Sequence, residues 1–345
     1  APEGSLYEDA PRCCAVASPS EARAIDAMDA GYPIESFREP EDFSSFWKER
    51  MAEADAVPLS WELVPASEVT TAPCAVPYDL WFRGMRGAQL YAKVLVPTAA
   101  FAGSGPLPLL MRFHGYPGRT RSWLENASWA AEGMILVSMD NPGQGGRSED
   151  VGGFPGTTVA GHVVLGLEGE PKDLYYVRLQ QDIRILFRVL AAEPRLVHAQ
   201  TFVYGDSQGG GVGLAAVALN AEVAAAGILY PFLSDFRKVM ELGADAIAYE
   251  GLRYWARWFD ADGAKAEEAL SKLAYIDTAS FAPYAQCPAL FGTGLADEIC
   301  PPATQDTVYE RLQCPKRRLF YPAFGHEEIQ AFDDALIAFF GKEGL

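Results

Sequence analysis

Histidine is scarce in this chain. Only His114, His162, His198 and His326 occur among 345 residues, so any mechanism with an imidazole base must choose among four positions. Cysteine is also sparse. The six thiols, at positions 13, 14, 74, 287, 300 and 314, form no C-x-x-C pair and no cluster with zinc-ligand spacing. Six cysteines in a chain this long make a disulfide framework improbable, and reduced thiols are the simpler reading. No run of about 18 apolar residues appears, which argues against a spanning helix. Nor does the N-terminus show a basic-then-apolar leader pattern, although the chain starts at Ala1 without a methionine. Together these absences read as a cytoplasmic protein. Positive charge is in deficit too: 28 Lys+Arg face 46 Asp+Glu, a formal net charge of −18. Such a balance argues against a nucleic-acid backbone or an anionic membrane as partner.

What the chain has is a globular composition, 49% apolar and 21% charged. Residues 1–37 are rich in Ala, Pro, Ser and acids and read as an extension, with one short helical candidate near Glu21–Asp29. From Pro40 onward, residues 38–345 read as one domain. Phe43, Phe46, Trp47 and Met51 mark an amphipathic helix. Tyr78–Arg83 and Gln89–Val96 look like paired strands joined by a turn at Met85–Gly87. Strand candidates then alternate with helix candidates. The strands are Leu107–Phe113, Met134–Met139, Thr201–Tyr204, Gly227–Tyr230, Ala289–Thr293 and Arg318–Tyr321. The helices are Ser122–Glu132, Leu174–Ala192, Gln208–Leu219, Asp235–Glu250, Ala264–Leu273, Pro302–Leu312 and Glu327–Phe340. Apolar strands alternating with helices predict an α/β fold with helices on both faces of a mostly parallel sheet. Eight strands with an initial antiparallel pair are the α/β-hydrolase layout. The stretch Gly152–Gly169 is too irregular for a helix. Residues 150–170 therefore read as a long functional or interfacial loop.

The chemical signal is Gly205-Asp206-Ser207-Gln208-Gly209, a G-x-S-x-G motif between an apolar strand and a small-residue helix. That is the setting of a nucleophile elbow. In this fold an acid and then a histidine follow the serine in the chain. Only His326 follows Ser207, on a loop after the last strand candidate. The acid belongs after the strand Ala289–Thr293, where Asp297 is the first choice and Glu298 the rival. Asp306 and Glu310 fall on the next helix and read as surface charges. An oxyanion hole needs two backbone donors. Gln208, just after the serine, supplies one, and Tyr116 in His114-Gly-Tyr-Pro-Gly118 the other, since Pro117 has no N–H. His114 and His198 then read as structural residues, while His162 sits in the long loop. Trp123, Pro231 and Phe232 are candidate pocket walls. No Walker loop or dinucleotide fingerprint is present.

Taken together, these motifs resemble carbohydrate esterase family 7, the acetyl xylan esterase / cephalosporin C deacetylase family, across residues 38–343. The likeness lies in Phe43-Ser-Ser-Phe-Trp47, His114–Gly118, Gly205–Gly211, Tyr230–Phe236, Gly294–Pro302 and His326-Glu327. Pro142-Gly143-Gln144 keeps only part of the family's R-G-Q motif, with proline in the place of arginine. The resemblance implies a serine esterase acting on acetylated xylo-oligosaccharides and other small acetyl esters, including cephalosporin C. Ser207, His326 and Asp297 would form the triad, and Tyr116 and Gln208 the oxyanion hole. It implies no metal and no organic cofactor. It also implies a homo-oligomer, commonly a hexamer, with the 150–170 region helping subunits pack and narrowing the entrance.

Overall fold

The computed structural model describes residues 37–66, 73–102, 105–156, 158, 161–243 and 248–342. The extension, apart from Phe37, lies outside these residues, as do the helical candidate Glu21–Asp29 and Cys13 and Cys14. Cys74, Cys287, Cys300 and Cys314 are free and buried, as the compositional reading anticipates.

One sheet organises the chain, and among the described residues it has nine strands rather than the expected eight. They are β1 (Trp61–Pro65), β2 (Ala75–Arg83), β3 (Gln89–Pro97), β4 (Leu107–Phe113), β5 (Ile135–Met139), β6 (His198–Asp206), β7 (Val223–Leu229), β8 (Ala289–Gly294) and β9 (Lys316–Tyr321). Their spatial order is β1-β2-β3-β5-β4-β6-β7-β8-β9. The additional strand is β1, antiparallel to β2 with Leu63 opposite Leu80. It is short, it ends in proline, and it sits at an edge where proline is tolerated, so its pattern is weak. The pairs β1/β2, β2/β3 and β3/β5 are antiparallel; every pair from β5/β4 to β8/β9 is parallel.

Ten helices complete the described chain, apart from one-turn pieces. They are α1 (Phe43–Asp55), α2 (Trp123–Ala131), α3 (Tyr175–Ala192), α4 (Gln208–Leu219), α5 (Phe236–Glu241), α6 (Glu250–Phe259), α7 (Ala266–Leu273), α8 (Thr278–Phe281), α9 (Pro302–Arg311) and α10 (Gln330–Lys342). The helix expected over Asp235–Glu250 ends early as α5, and α6 begins only at Glu250. Gly243 follows α5 at φ +59°, a left-handed stop that a helix cannot continue through. Residues 244–247 lie outside the described set.

Alternation along β7 shows how helices cover both faces. A Cβ on Gly227 would meet Leu336 of α10 at 2.4 Å, while its neighbour Ile228 faces Gly213 of α4. Adjacent strand residues point to opposite faces, so α4 and α10 lie on opposite sides. On the α10 side, Phe340 stacks on Phe202 of β6 with centroids 4.5 Å apart, and both are fully buried.

The Phe202–Phe340 pair anchors the last helix. Phe340→Ala is expected to destabilise the protein by about 3–5 kcal/mol through lost burial and a residual cavity. Urea unfolding followed by circular dichroism measures this.

Candidate active site

The nucleophile turn is built by close backbone approaches. Gly205 passes Gly209 so tightly that a Cβ would lie 2.1 Å from the Gly209 carbonyl oxygen. Gly209 in turn abuts β4, where a Cβ would sit 2.2 Å from the Phe113 carbonyl oxygen. Between them Ser207 is forced to φ 55°, ψ −121°, a conformation costly for a residue with a side chain. Its backbone N–H donates to Leu229 O at 3.0 Å, and its carbonyl accepts from Gly211 and Phe232. The hydroxyl is thereby presented at the N-terminus of α4, where the helix dipole favours negative charge.

Three side chains from three loops converge there. Ser207 Oγ lies 2.8 Å from His326 Nε2, and His326 Nδ1 lies 2.9 Å from Asp297 Oδ2. A carboxylate can only accept, so Nδ1–H donates to Asp297 and the serine O–H donates to Nε2. Asp297 Oδ1 also accepts from the backbone N–H groups of Ile299 and Cys300, at 2.9 and 2.8 Å. The carboxyl is completely buried, whereas the rival Glu298 is exposed. Asp306 and Glu310 are exposed on α9, and Asp306 pairs with Arg318. The acid and histidine loops lock together through Ala296 N–H to Phe324 O, at 3.0 Å. Tyr230 packs its ring 4.7 Å from the His326 ring and donates its hydroxyl to Glu327 O. Residues 326–327 form a bend, and α10 begins at Gln330 rather than at the expected Glu327.

The two expected oxyanion donors flank the serine. As first residue of α4, Gln208 has an N–H with no acceptor inside the helix. Tyr116 follows Gly115, which closes on the elbow; a Cβ there would lie 3.8 Å from Ser207 Cβ. His114 Nε2 accepts from Asn141 N–H, so its Nδ1–H donates to Gly115 O at 2.8 Å. Burial lowers its pKa and keeps it neutral, as this bridge requires. His114 is thus structural, as is His198, whose ring joins Leu196 O to Thr201 Oγ1.

Several residues at the site make contacts that the motifs did not assign. Gln144 and Gln208 exchange two side-chain amide bonds, each 2.8 Å, and Tyr176 O–H donates to Gln208 Oε1. Tyr175 O–H donates to Pro142 O at 2.7 Å. Gln144 is the part of the incomplete R-G-Q motif that reaches the elbow. Asp140 clamps two loops, accepting from Thr120 N–H and Arg147 N–H. Cys300 places a fully buried thiol against the Ser207 hydroxyl; burial and the Asp297 carboxylate raise its pKa and keep it protonated. Of the wall candidates, Phe232 donates its N–H to Ser207 O, and its ring stacks on Tyr116 and packs against Tyr249. Pro231 packs against Gly210 of α4. Trp123 is half-buried at the start of α2, its ring 5.2 Å from the Lys93 ammonium.

The backbone strain at position 207 is measurable. Ser207→Gly is expected to be more stable than Ser207→Ala by roughly 1 kcal/mol, since only glycine relaxes at this φ. Thermal unfolding of the two variants checks it.

The pattern of the acetyl xylan esterase (AXE1) family matches residues 32–343. An acetyl esterase, Axe7A, from Xylanibacter ruminicola is 26% identical over 297 residues, 84% of this chain; the match spans 64% of that protein's length. Acetyl xylan esterase 1 from Thermoanaerobacterium sp. JW/SL YS485 superposes with a TM-score of 0.84 at 32% identity, covering 95% of this chain and 99% of that one. The acetyl xylan esterase from Paenibacillus sp. R4 gives 0.83 at 28% identity, covering 89% and 96%. These relatives share the α/β-hydrolase fold, and this chain belongs to the acetyl xylan esterase (AXE1) family.

Proposed function

We propose that the protein is a serine carboxylesterase that removes acetyl groups from small acetylated substrates through an acyl-enzyme. The observation that carries this reading is the unbroken hydrogen-bond chain from Asp297 through His326 to Ser207. In the reaction, Ser207 Oγ attacks the acetyl carbonyl and His326 Nε2 takes its proton. Asp297 holds the imidazole tautomer and stabilises the imidazolium that forms. The tetrahedral oxyanion is met by the N–H groups of Tyr116 and Gln208. As the intermediate collapses, His326 returns the proton to the leaving alcohol, and the serine remains acetylated. A water activated by the same histidine then releases acetate.

The substrate class follows from family membership and from bulk near the serine. Phe232 is fully buried between Tyr116 and Tyr249 beside Ser207. This packing supports a short acyl group. Acetylated xylo-oligosaccharides are the proposed substrates, with cephalosporin C as a further small acetyl ester. We also propose a cytoplasmic homo-oligomer, as large as a hexamer. The exposed aromatics Tyr254, Trp258 and Phe259 on α6 offer apolar surface for self-association. A mass measurement in solution tests the assembly; a monomer across the micromolar range would exclude it.

Ser207→Ala is expected to abolish p-nitrophenyl acetate turnover, and Asp297→Asn to lower kcat by about 10³–10⁴-fold. Hydrolysis of a p-nitrophenyl ester series is expected to fall steeply beyond acetyl. Equal rates on octanoyl esters would favour a hydrolase with a larger acyl pocket.

A further inference from the structure

His162 is the histidine that the catalytic reading leaves unused, yet it reaches the site. It stands in the long loop between β5 and α3, on a one-turn piece spanning His162–Val164. Its Nδ1 lies 3.3 Å from the Tyr116 hydroxyl, and the two rings meet edge to face at 5.6 Å. The opposite edge of the imidazole packs against Gly143. The hydroxyl both donates and accepts, so it can hydrogen-bond Nδ1 in either tautomer of the ring. Tyr175 closes the third side with its ring 4.7 Å away.

Glycines mark how close these segments run. A Cβ on Gly161 would lie 3.1 Å from the Tyr116 hydroxyl. One on Gly143 would lie 3.0 Å from Asp150 Cβ and 3.5 Å from His162 Nε2. Both glycines also have positive φ, 88° and 70°. The loop is therefore pressed onto both the Tyr116 side chain and the turn that carries Gln144.

We propose that His162 is a positioning residue that braces both halves of the oxyanion hole at once. Through the phenol it fixes the ring of Tyr116, which is already stacked on Phe232 at 6.3 Å. Through Gly143 it steadies the turn whose Gln144 amide grips the Gln208 side chain. The proposal rests on reading the N–H groups of Tyr116 and Gln208 as the oxyanion donors. Such donors act only where they meet the developing charge at about 3 Å, so loosening their support weakens transition-state binding more than substrate binding.

The test combines His162→Phe, Tyr116→Phe and the double variant, assayed on p-nitrophenyl acetate and on its thionoacetate analogue. Sulfur accepts hydrogen bonds poorly, so the oxygen-to-sulfur rate ratio reports the oxyanion hole rather than overall folding. Each single variant is expected to lower kcat about tenfold with KM within about threefold, a fraction of what losing a whole donor costs. The oxygen-to-sulfur ratio should fall alongside. The double variant should be no slower than the slower single, because both changes break one linkage. An unchanged ratio in His162→Phe, or a double variant about 100-fold slower than the parent, overturns the brace. If His162→Phe does not fold, Tyr116→Phe reads the same bond, and an unchanged ratio there overturns it equally. Retained turnover by Ser207→Ala would instead overturn the underlying catalytic reading.

Discussion

The catalytic centre depends on one steric constraint, the closeness of backbone to backbone around Ser207. β4, β6 and β7 carry their C-terminal ends to within van der Waals contact of the first turn of α4. Only glycine at 205 and 209 permits that approach. The strain it imposes on Ser207 lifts the hydroxyl out of the sheet toward solvent-facing loops. Every partner is then placed relative to this fixed point. Asp297 and His326 arrive from the ends of β8 and β9, each a strand further along the sheet.

Around that point the chain uses buried polar contacts more than charge. His114, Gln144, Gln208, Tyr175, Tyr176 and the Asp140 carboxyl are all buried and all hydrogen-bonded. Each has a partner on a different segment of the chain. In a dry interior such bonds are costly to leave unmade, so they hold loops in one arrangement and specify donor positions finely. This suits a site whose chemistry rests on stationary N–H groups. It also suits residues 161–173 around His162, which carry two one-turn pieces, His162–Val164 and Pro171–Asp173, and no longer helix or strand.

Much of the fold was legible because its parallel core strands are short apolar runs bounded by turns, with helices falling between them. α4 matches its sequence-based bounds residue for residue. The misses share a cause. β1 is a proline-flanked edge strand whose partner, not its pattern, defines it. α6 runs from Glu250 to Phe259, beyond the end of the expected helix, because Gly243 stops α5 early. The eight-residue gap to α6 has no local signal.

For the site, composition and chain order pointed from four histidines to His326 and put Asp297 ahead of its rival Glu298. Those inferences draw on the triad's order, which strand connectivity imposes and the sequence displays. The sequence also carried the glycines that make the elbow possible. It held no sign that Gln144 would pair with Gln208, that Asp140 would clamp two loops, or that His162 would meet the Tyr116 hydroxyl. Those partners are separated by 64, 20 or 7, and 46 residues respectively. A hydrogen bond between distant loops leaves no periodicity behind. It exists only once the sheet has brought the loop ends together, and so tertiary structure alone decided it.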